Sequence, residues 1–308
     1  MISRGWPARF LLVGALLAGL SGAALSTTWA PHKVKCPLCG AENDFRAIMS
    51  YGGYIYNWPS KFQLIFWPLT DRSAVYACKN CRLSAFMGDF EKLPKEKHQA
   101  VKNALKDVKF DKEYASYSEI PMTQRLRVAE KVYALLDKDD EFWCRFYRVL
   151  AYHYDDERSQ AKDDKAREAL QKEADAARRK AVELVEKLLA AKDRAGQRKE
   201  ALLIRGAMRH FLRDDKAALA DFEEAAKLTY RNKALAEAGD PEAEKNADEY
   251  LSGLLKEYTE LLSRKQPLPS DDPEKEADEV TEAFRKFLKE REQKEKEKGA
   301  GDKGAPAP

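Results

Sequence analysis

The chain has 308 residues, enough for one or two domains with a sizeable core. Its 55 Lys and Arg nearly balance its 52 Asp and Glu and leave a formal charge of +3, which excludes the strong positive field typical of nucleic-acid-binding proteins. The sequence also lacks the phosphate-binding, zinc-hydrolase and serine-hydrolase motifs. We therefore predict that the protein is not an enzyme.

Residues 1–30 predict a signal peptide or an N-terminal membrane anchor. Arg4 and Arg9 form a basic region ahead of the apolar run Phe10 to Leu20, and small residues typical of a cleavage site follow. This run is shorter than the roughly 20 residues of a membrane-spanning helix, although residues 10–25 together form a candidate uncleaved anchor. We expect a protein of the bacterial cell envelope, either exported (periplasmic or extracellular) or held in the membrane by its N-terminus.

Two Cys-x-x-Cys pairs follow, and we expect a small module of residues 31–93 around them. Cys36 and Cys39 lie in the turn sequence Cys-Pro-Leu-Cys-Gly, and the apolar run Val75–Ala77, which predicts a strand, leads into Cys78 and Cys81. Four thiolates in two paired turns are the ligand set of a structural zinc site. We therefore expect one structural zinc ion per chain, bound by the four cysteines.

The segment between the two pairs is unusual in its length and its composition. Its 38 residues exceed the roughly 15–20 of a compact zinc ribbon. We expect its aromatic side chains to build the core of a module too small for an ordinary interior, with a stacking or peptide-binding surface as the alternative. Gly52-Gly53 predicts a hairpin turn within it. The aromatic residues are Phe45, Tyr51, Tyr54, Tyr56, Trp58, Phe62, Phe66 and Trp67.

Two other roles of the four cysteines stay open. In an oxidising compartment they can form two disulfides, with three possible connectivities. A Cys-Pro-x-Cys pair can also act as a redox dithiol, but such a motif normally opens a helix whose N-terminus lowers the thiol pKa, whereas Gly40 to Asp44 predicts a turn. Of the remaining candidates, His32 is interpreted as a surface residue and Cys144 as a buried, inert thiol.

From residue 94 to residue 264 the apolar residues recur with a helical period. Pro94 and Pro121 mark two helix starts, and Asp139 or Asp140 caps a third helix. A long helix is expected from about 160 to 191, and residues 242–263 predict a closing helix. The charged segment 265–308 is predicted to be largely disordered, because it contains too little apolar surface to offset chain entropy.

This helical region carries a tetratricopeptide-like pattern. Gly206 stands where a small residue lets paired helices approach, and Ala218, Phe222 and Ala225 follow the signature of the second helix. An upstream copy around Ala151 lies 55 residues earlier instead of about 34, which an extended helix explains. The predicted fold is mostly α, with a small zinc-ribbon-like β module followed by tetratricopeptide-like helical repeats; an irregular helical bundle is the alternative.

This combination of features resembles the bacterial family called domain of unknown function 2225. The matching segments are residues 34–40 (VKCPLCG), 76–81 (YACKNC) and 146–152 (FYRVLAY). The resemblance implies two cysteine turns joined to tetratricopeptide-like helices and implies no reaction. The family's second turn usually continues Cys-Gly-Tyr-Ala, whereas Arg82 to Ala85 stands here, which changes the residues that shape this turn and keeps all four cysteines.

Taken together, these features predict a non-enzymatic envelope protein that uses a helical scaffold for protein–protein interaction. Stacked helical repeats leave a groove, here between Tyr147 and Phe222, and a protein or peptide partner is expected in it. No nucleic acid is expected, since the seven lysines between Glu91 and Glu113 alternate with five acidic residues. The alternative is a thiol–disulfide oxidoreductase or a disulfide-stapled secreted protein that uses the same cysteines.

Overall fold

The computed structural model describes residues 28–50, 63–232 and 241–264. The predicted leader before residue 28, the hairpin turn at Gly52-Gly53 and the charged tail from residue 265 lie outside the described residues. Within them the fold is mostly helical, with two small sheets ahead of the helices, in agreement with the predicted fold class.

The N-terminal module consists of two antiparallel hairpins. Strand β1 (Thr28–Lys35) pairs with β2 (Glu42–Ser50), and β3 (Val75–Ala77) pairs with β4 (Ser84–Phe86). The strand predicted at residues 75–77 is therefore confirmed. Each hairpin is closed by one of the Cys-x-x-Cys segments, so the pairing of the strands places both cysteine turns at hairpin ends.

Seven α-helices lie in the described residues. In chain order they are α1 (His98–Leu105), α2 (Met122–Tyr133), α3 (Asp140–Gln160), α4 (Asp164–Ala190), α5 (Arg198–Phe211), α6 (Asp215–Ala225) and α7 (Pro241–Ser263). Long consecutive helices with short links pack pairwise, α3 on α4 and α5 on α6, while α7 covers the α5–α6 pair.

The helix starts lie at or close to the predicted signals. Pro121 precedes α2, and the Asp139 carboxylate accepts a hydrogen bond from the Phe142 N–H at 2.8 Å, which fixes the start of α3. The long helix expected from about 160 to 191 is α4 (Asp164–Ala190), and the Asp163 carboxylate caps its start. After Pro94, a short 3-10 helix (Lys95–Lys97) precedes α1, which begins at His98.

One hydrophobic core continues through the boundary that the sequence places between residues 93 and 94. Phe45 of β2 stacks on Tyr76 of β3 with ring centroids 4.1 Å apart. On the other side, the Phe86 N–H of β4 donates to the Tyr133 hydroxyl of α2 at 2.9 Å. The hairpins are consequently packed onto the helices rather than separated from them by a linker.

A second core joins helices α4 to α7. Gly206 of α5 lies against the Phe222 ring of α6, and an added Cβ would overlap that ring, so the close approach predicted from the repeat pattern is confirmed. Helix α7 is fixed by the buried Lys199, whose ammonium lies 2.6 Å from Asp248 Oδ1 and 2.6 Å from Ser252 Oγ. The tetratricopeptide-like register of the two helix pairs stays a prediction.

None of the helices in the described residues combines the length and the apolar composition that a membrane crossing needs. The candidate anchor at residues 10–25 is not among these residues.

The packing at Gly206 predicts opposite effects for two glycine substitutions in helices. Gly206→Ala should lower the free energy of unfolding by about 1–3 kcal/mol, because the methyl group forces the Phe222 ring to move. Gly253→Ala in α7 should raise it by about 1 kcal/mol, since no atom lies within 4 Å of the added Cβ and alanine is the better helix former. Urea denaturation measures both, and stabilisation by both substitutions would contradict the described contact.

Candidate metal centre

The two Cys-x-x-Cys turns have the same backbone hydrogen bonds, although they belong to different hairpins. In each, the N–H of the first cysteine donates to the carbonyl five residues later, and the N–H four residues later donates back to the carbonyl of that cysteine. These bonds measure 2.8 and 2.9 Å in both turns and join Cys36 to Ala41, Gly40 to Cys36, Cys78 to Leu83 and Arg82 to Cys78. The second turn therefore has the geometry of the first despite its different sequence.

The turns bring four sulfur atoms together. Cys36 Sγ lies 3.6 Å from Cys81 Sγ, and Cys39 Sγ lies 3.6 Å from Cys78 Sγ. All four lie within 4.8 Å of one another. Zinc–sulfur bonds of about 2.3 Å in a tetrahedron require sulfur–sulfur separations of about 3.8 Å, so the spacing and the donor set fit a tetrahedrally bound metal ion.

The second turn keeps its shape with a strained residue. Gly40 has a φ of +78°, and Arg82 at the equivalent position has a φ of +64°. This left-handed conformation is free of steric penalty in glycine and costs other residues about 1–2 kcal/mol. Arg82, at the position that Gly40 occupies in the first turn, thus leaves the fold of the second turn intact and destabilises it.

The electrostatics of the cluster favour one thiolate. Hydrogen bonds from the Cys36 and Cys81 thiols lower the pKa of Cys78 well below its usual range, and the backbone N–H groups of Cys81 and Asn80 lower it further. The hydrogen bond to Cys78 raises the pKa of Cys36 to about 12, and hydrogen bonds to Cys36 and Cys78 raise that of Cys81. Four thiolates at this spacing require a cation between them, which a divalent metal ion supplies.

Asn43 of β2 links the two turns, and the sequence reasoning missed it. Its side chain is buried; Nδ2 donates to the Ala41 carbonyl at 2.9 Å, and Oδ1 accepts from the Lys79 N–H at 3.0 Å. Nδ2 also lies 3.7 Å from Cys78 Sγ. Residues that orient metal ligands in this way tune metal affinity. An asparagine four residues after Cys39 gives no signal of this role in the sequence.

The long segment between the cysteine pairs packs against the helices. Buried arginine and histidine side chains of the helices donate hydrogen bonds to its backbone carbonyls. Arg125 Nη1 of α2 donates to the Arg72 and Val75 carbonyls at 2.7 and 2.6 Å. The Arg148 guanidinium and the His153 imidazole of α3 bond to further carbonyls of residues 63–69. Burial lowers the pKa of His153 to about 4, so this ring is neutral at physiological pH and donates through Nε2.

The remaining predicted residues occupy different environments. Phe45 is buried in the first core, as expected, whereas Trp67 is half-buried and Phe66 is exposed; the other five aromatic residues of the segment lie outside the described residues. His32 lies exposed on β1, and Cys144 is buried, with a thiol pKa that desolvation raises. Both agree with their interpretation as residues outside the metal site. None of the five cysteines forms a disulfide.

The strain at Arg82 predicts that a glycine stabilises the second turn. Arg82→Gly should raise the free energy of unfolding by roughly 0.5–1 kcal/mol, which is the relief of the left-handed strain less the extra entropy of glycine in the unfolded chain. Arg82→Ala is the matched control, because it removes the same side chain and keeps the strain. Denaturation of the metal-loaded protein measures both, and equal stability of the two variants would refute the strain.

The contacts of Asn43 predict a weakened metal site in its absence. Asn43→Ala should lower metal affinity by roughly 10–100-fold, since the two turns lose their shared hydrogen bonds. Asp44→Ala, at the exposed neighbouring position, is the control and should leave the affinity unchanged. Competition with a chromogenic chelator gives the affinity, and wild-type affinity of the Asn43 variant would exclude the proposed linking role.

Comparison with known proteins agrees with the arrangement of turns and helices. The family described as "Uncharacterized protein conserved in bacteria (DUF2225)" matches residues 30–247, which include both cysteine turns and the helices through α6. No curated protein and no solved structure matches the chain. The match covers more than half of the sequence, and the chain belongs to the DUF2225 family.

Proposed function

We propose that this chain is a non-enzymatic protein of the bacterial cell envelope, in which a zinc-stapled module supports a helical scaffold that binds another protein. The observation that carries the zinc assignment is the closed set of four sulfurs within 4.8 Å of one another. A tetrahedral ion there would have protein ligands at all four positions, which is typical of structural and not of catalytic zinc.

The local structure around the cysteines also favours a structural over a redox role. A redox dithiol normally precedes a helix whose N-terminus stabilises the thiolate. Here each pair leads into a strand, β2 after Cys39 and β4 after Cys81. A disulfide-stapled form is the second candidate, because the nearest sulfurs, 3.6 Å apart, belong to different turns and exported proteins meet oxidants.

The zinc assignment predicts about one zinc ion per chain in protein purified without chelator. Cys78→Ser should lose the metal and unfold the module, because structural metal binding contributes directly to folding. Cys144→Ala is the control and should keep the ion. Native mass spectrometry measures the metal and separates it from two disulfides; a folded chain without metal, whether its thiols are free or paired, would overturn the assignment.

A cavity between the two helix pairs supports the binding role. It has a volume of about 200 Å³ and lies between α3, α4 and α5. Burial raises the pKa of the Glu200 carboxyl in its wall. Burial also raises the pKa of the Tyr230 hydroxyl, to about 12. Together with Asn232, whose Nδ2 donates to that hydroxyl at 3.0 Å, these groups offer donors and acceptors suited to a peptide.

The binding role predicts position-dependent cross-linking in cells. A photoreactive amino acid at position 198, beside the cavity, should cross-link one defined protein, whereas the same group at the exposed position 172 of α4 should not. Mass spectrometry identifies the product, and the purified partner should then bind the chain in solution. Identical products from both positions, or a purified partner that fails to bind, would refute the proposed groove.

A further inference from the structure

The start of β1 forms an uncharged, partly exposed aromatic surface. Trp29 contacts Trp67 edge-on with ring centroids 5.8 Å apart, and it is paired with Ile48 across the hairpin. Met49 is 69% exposed and Phe66 is 38% exposed. We call these five residues the aromatic edge. Of the three exposed large hydrophobic residues in the described part of the chain, two are therefore chain neighbours of residues that contact or pair with Trp29.

The absence of charge from this surface is unusual for this chain. Residues 28–31, 47–50 and 63–70 contain no Asp, Glu, Lys or Arg, although such residues make up 35% of the sequence. Charged side chains begin directly beyond it, at Lys33 of β1 and Arg46 of β2. An uncharged apolar patch bounded by charged residues marks an interaction surface.

The position of the edge in the chain indicates what covers it. Only Ser26 and Thr27 separate the apolar segment 10–25 from Thr28, where β1 begins. At about 3.5 Å per residue, Trp29 lies at most about 14 Å from Leu25. If residues 10–25 stay in the membrane, the chain holds Trp29 close to the headgroup region, whose thickness on each side is about 5–8 Å.

The chemistry of the edge matches that region of a bilayer. Tryptophan is enriched at membrane–water interfaces because its ring is apolar and its N–H finds polar partners there. Methionine and phenylalanine side chains are of the apolar kind that enters the acyl boundary.

We propose that the aromatic edge rests on the bilayer surface next to the anchor and orients the folded chain relative to the membrane. This inference rests on the part of the proposed function that places the chain at the membrane through residues 10–25. Strand β1 has eight residues and leads from the edge to Cys36. The metal centre would therefore lie about 25 Å from the aromatic edge.

Lipid-specific fluorescence quenching tests the proposal with the full-length chain in vesicles of phosphatidylcholine and phosphatidylglycerol. Variants that keep a single tryptophan, at position 29, 67 or 143, are compared with and without brominated acyl chains. Trp29 and Trp67 should each lose most of their fluorescence, whereas Trp143 of α3 should lose little. Met49→Lys combined with Phe66→Lys should reduce the quenching at position 29, and Tyr250→Lys on α7, a matched exposed site, should not.

The outcomes separate the contact from the anchor. If the chain made in cells lacks residues 10–25 and does not bind vesicles, both the anchoring and the contact are overturned. A vesicle-bound chain in which brominated lipid does not quench Trp29 overturns the contact alone. In that case, accessibility of Trp29 to aqueous iodide would show an uncovered edge, and protection from both quenchers would show that protein covers it. Bound metal and far-ultraviolet circular dichroism verify that each variant is folded.

Discussion

The four-sulfur cluster is the constraint on which the N-terminal half of the structure depends. Two turns separated by 38 residues meet there, and neither hairpin is large enough to fold independently in water. Four thiolates within 4.8 Å of one another repel each other, and a cation between them would allow all four to ionise. A metal ion bound there would therefore couple metal binding to the folding of the module.

The effect of that cluster extends into the helices because the core is continuous. Tyr133 of α2 accepts the Phe86 N–H of β4 and donates to Asp89, so the edge of the second hairpin is held by a helix. Burial raises the pKa of Tyr133 above its usual range, which keeps the hydroxyl neutral and able to donate. A change at the metal site should therefore alter the packing of α2, because the hairpins and this helix share one core.

Contacts with the helices also explain how the fold accommodates an unusually long segment between its cysteine pairs. Irregular backbone is costly to bury because its carbonyls need partners. Arg125, Arg148 and the neutral His153 provide those partners from the helices, and Arg125 in addition lies 5.6 Å from the centroid of the Tyr117 ring. These buried donors replace the strands that would satisfy the backbone in a compact zinc ribbon.

The sequence by itself determined the elements whose signals are local. The turn residues around Cys36 and Cys39, the strand at Val75–Ala77, the cap at Asp139 and the close approach at Gly206 all depend on nearby chain geometry or residue size. Tertiary structure alone decided the rest: that Arg82 adopts the glycine-like conformation, that Asn43 bridges the turns, and that the module and helices share one core. Those features arise from contacts between distant residues, and a single sequence carries no local pattern for them.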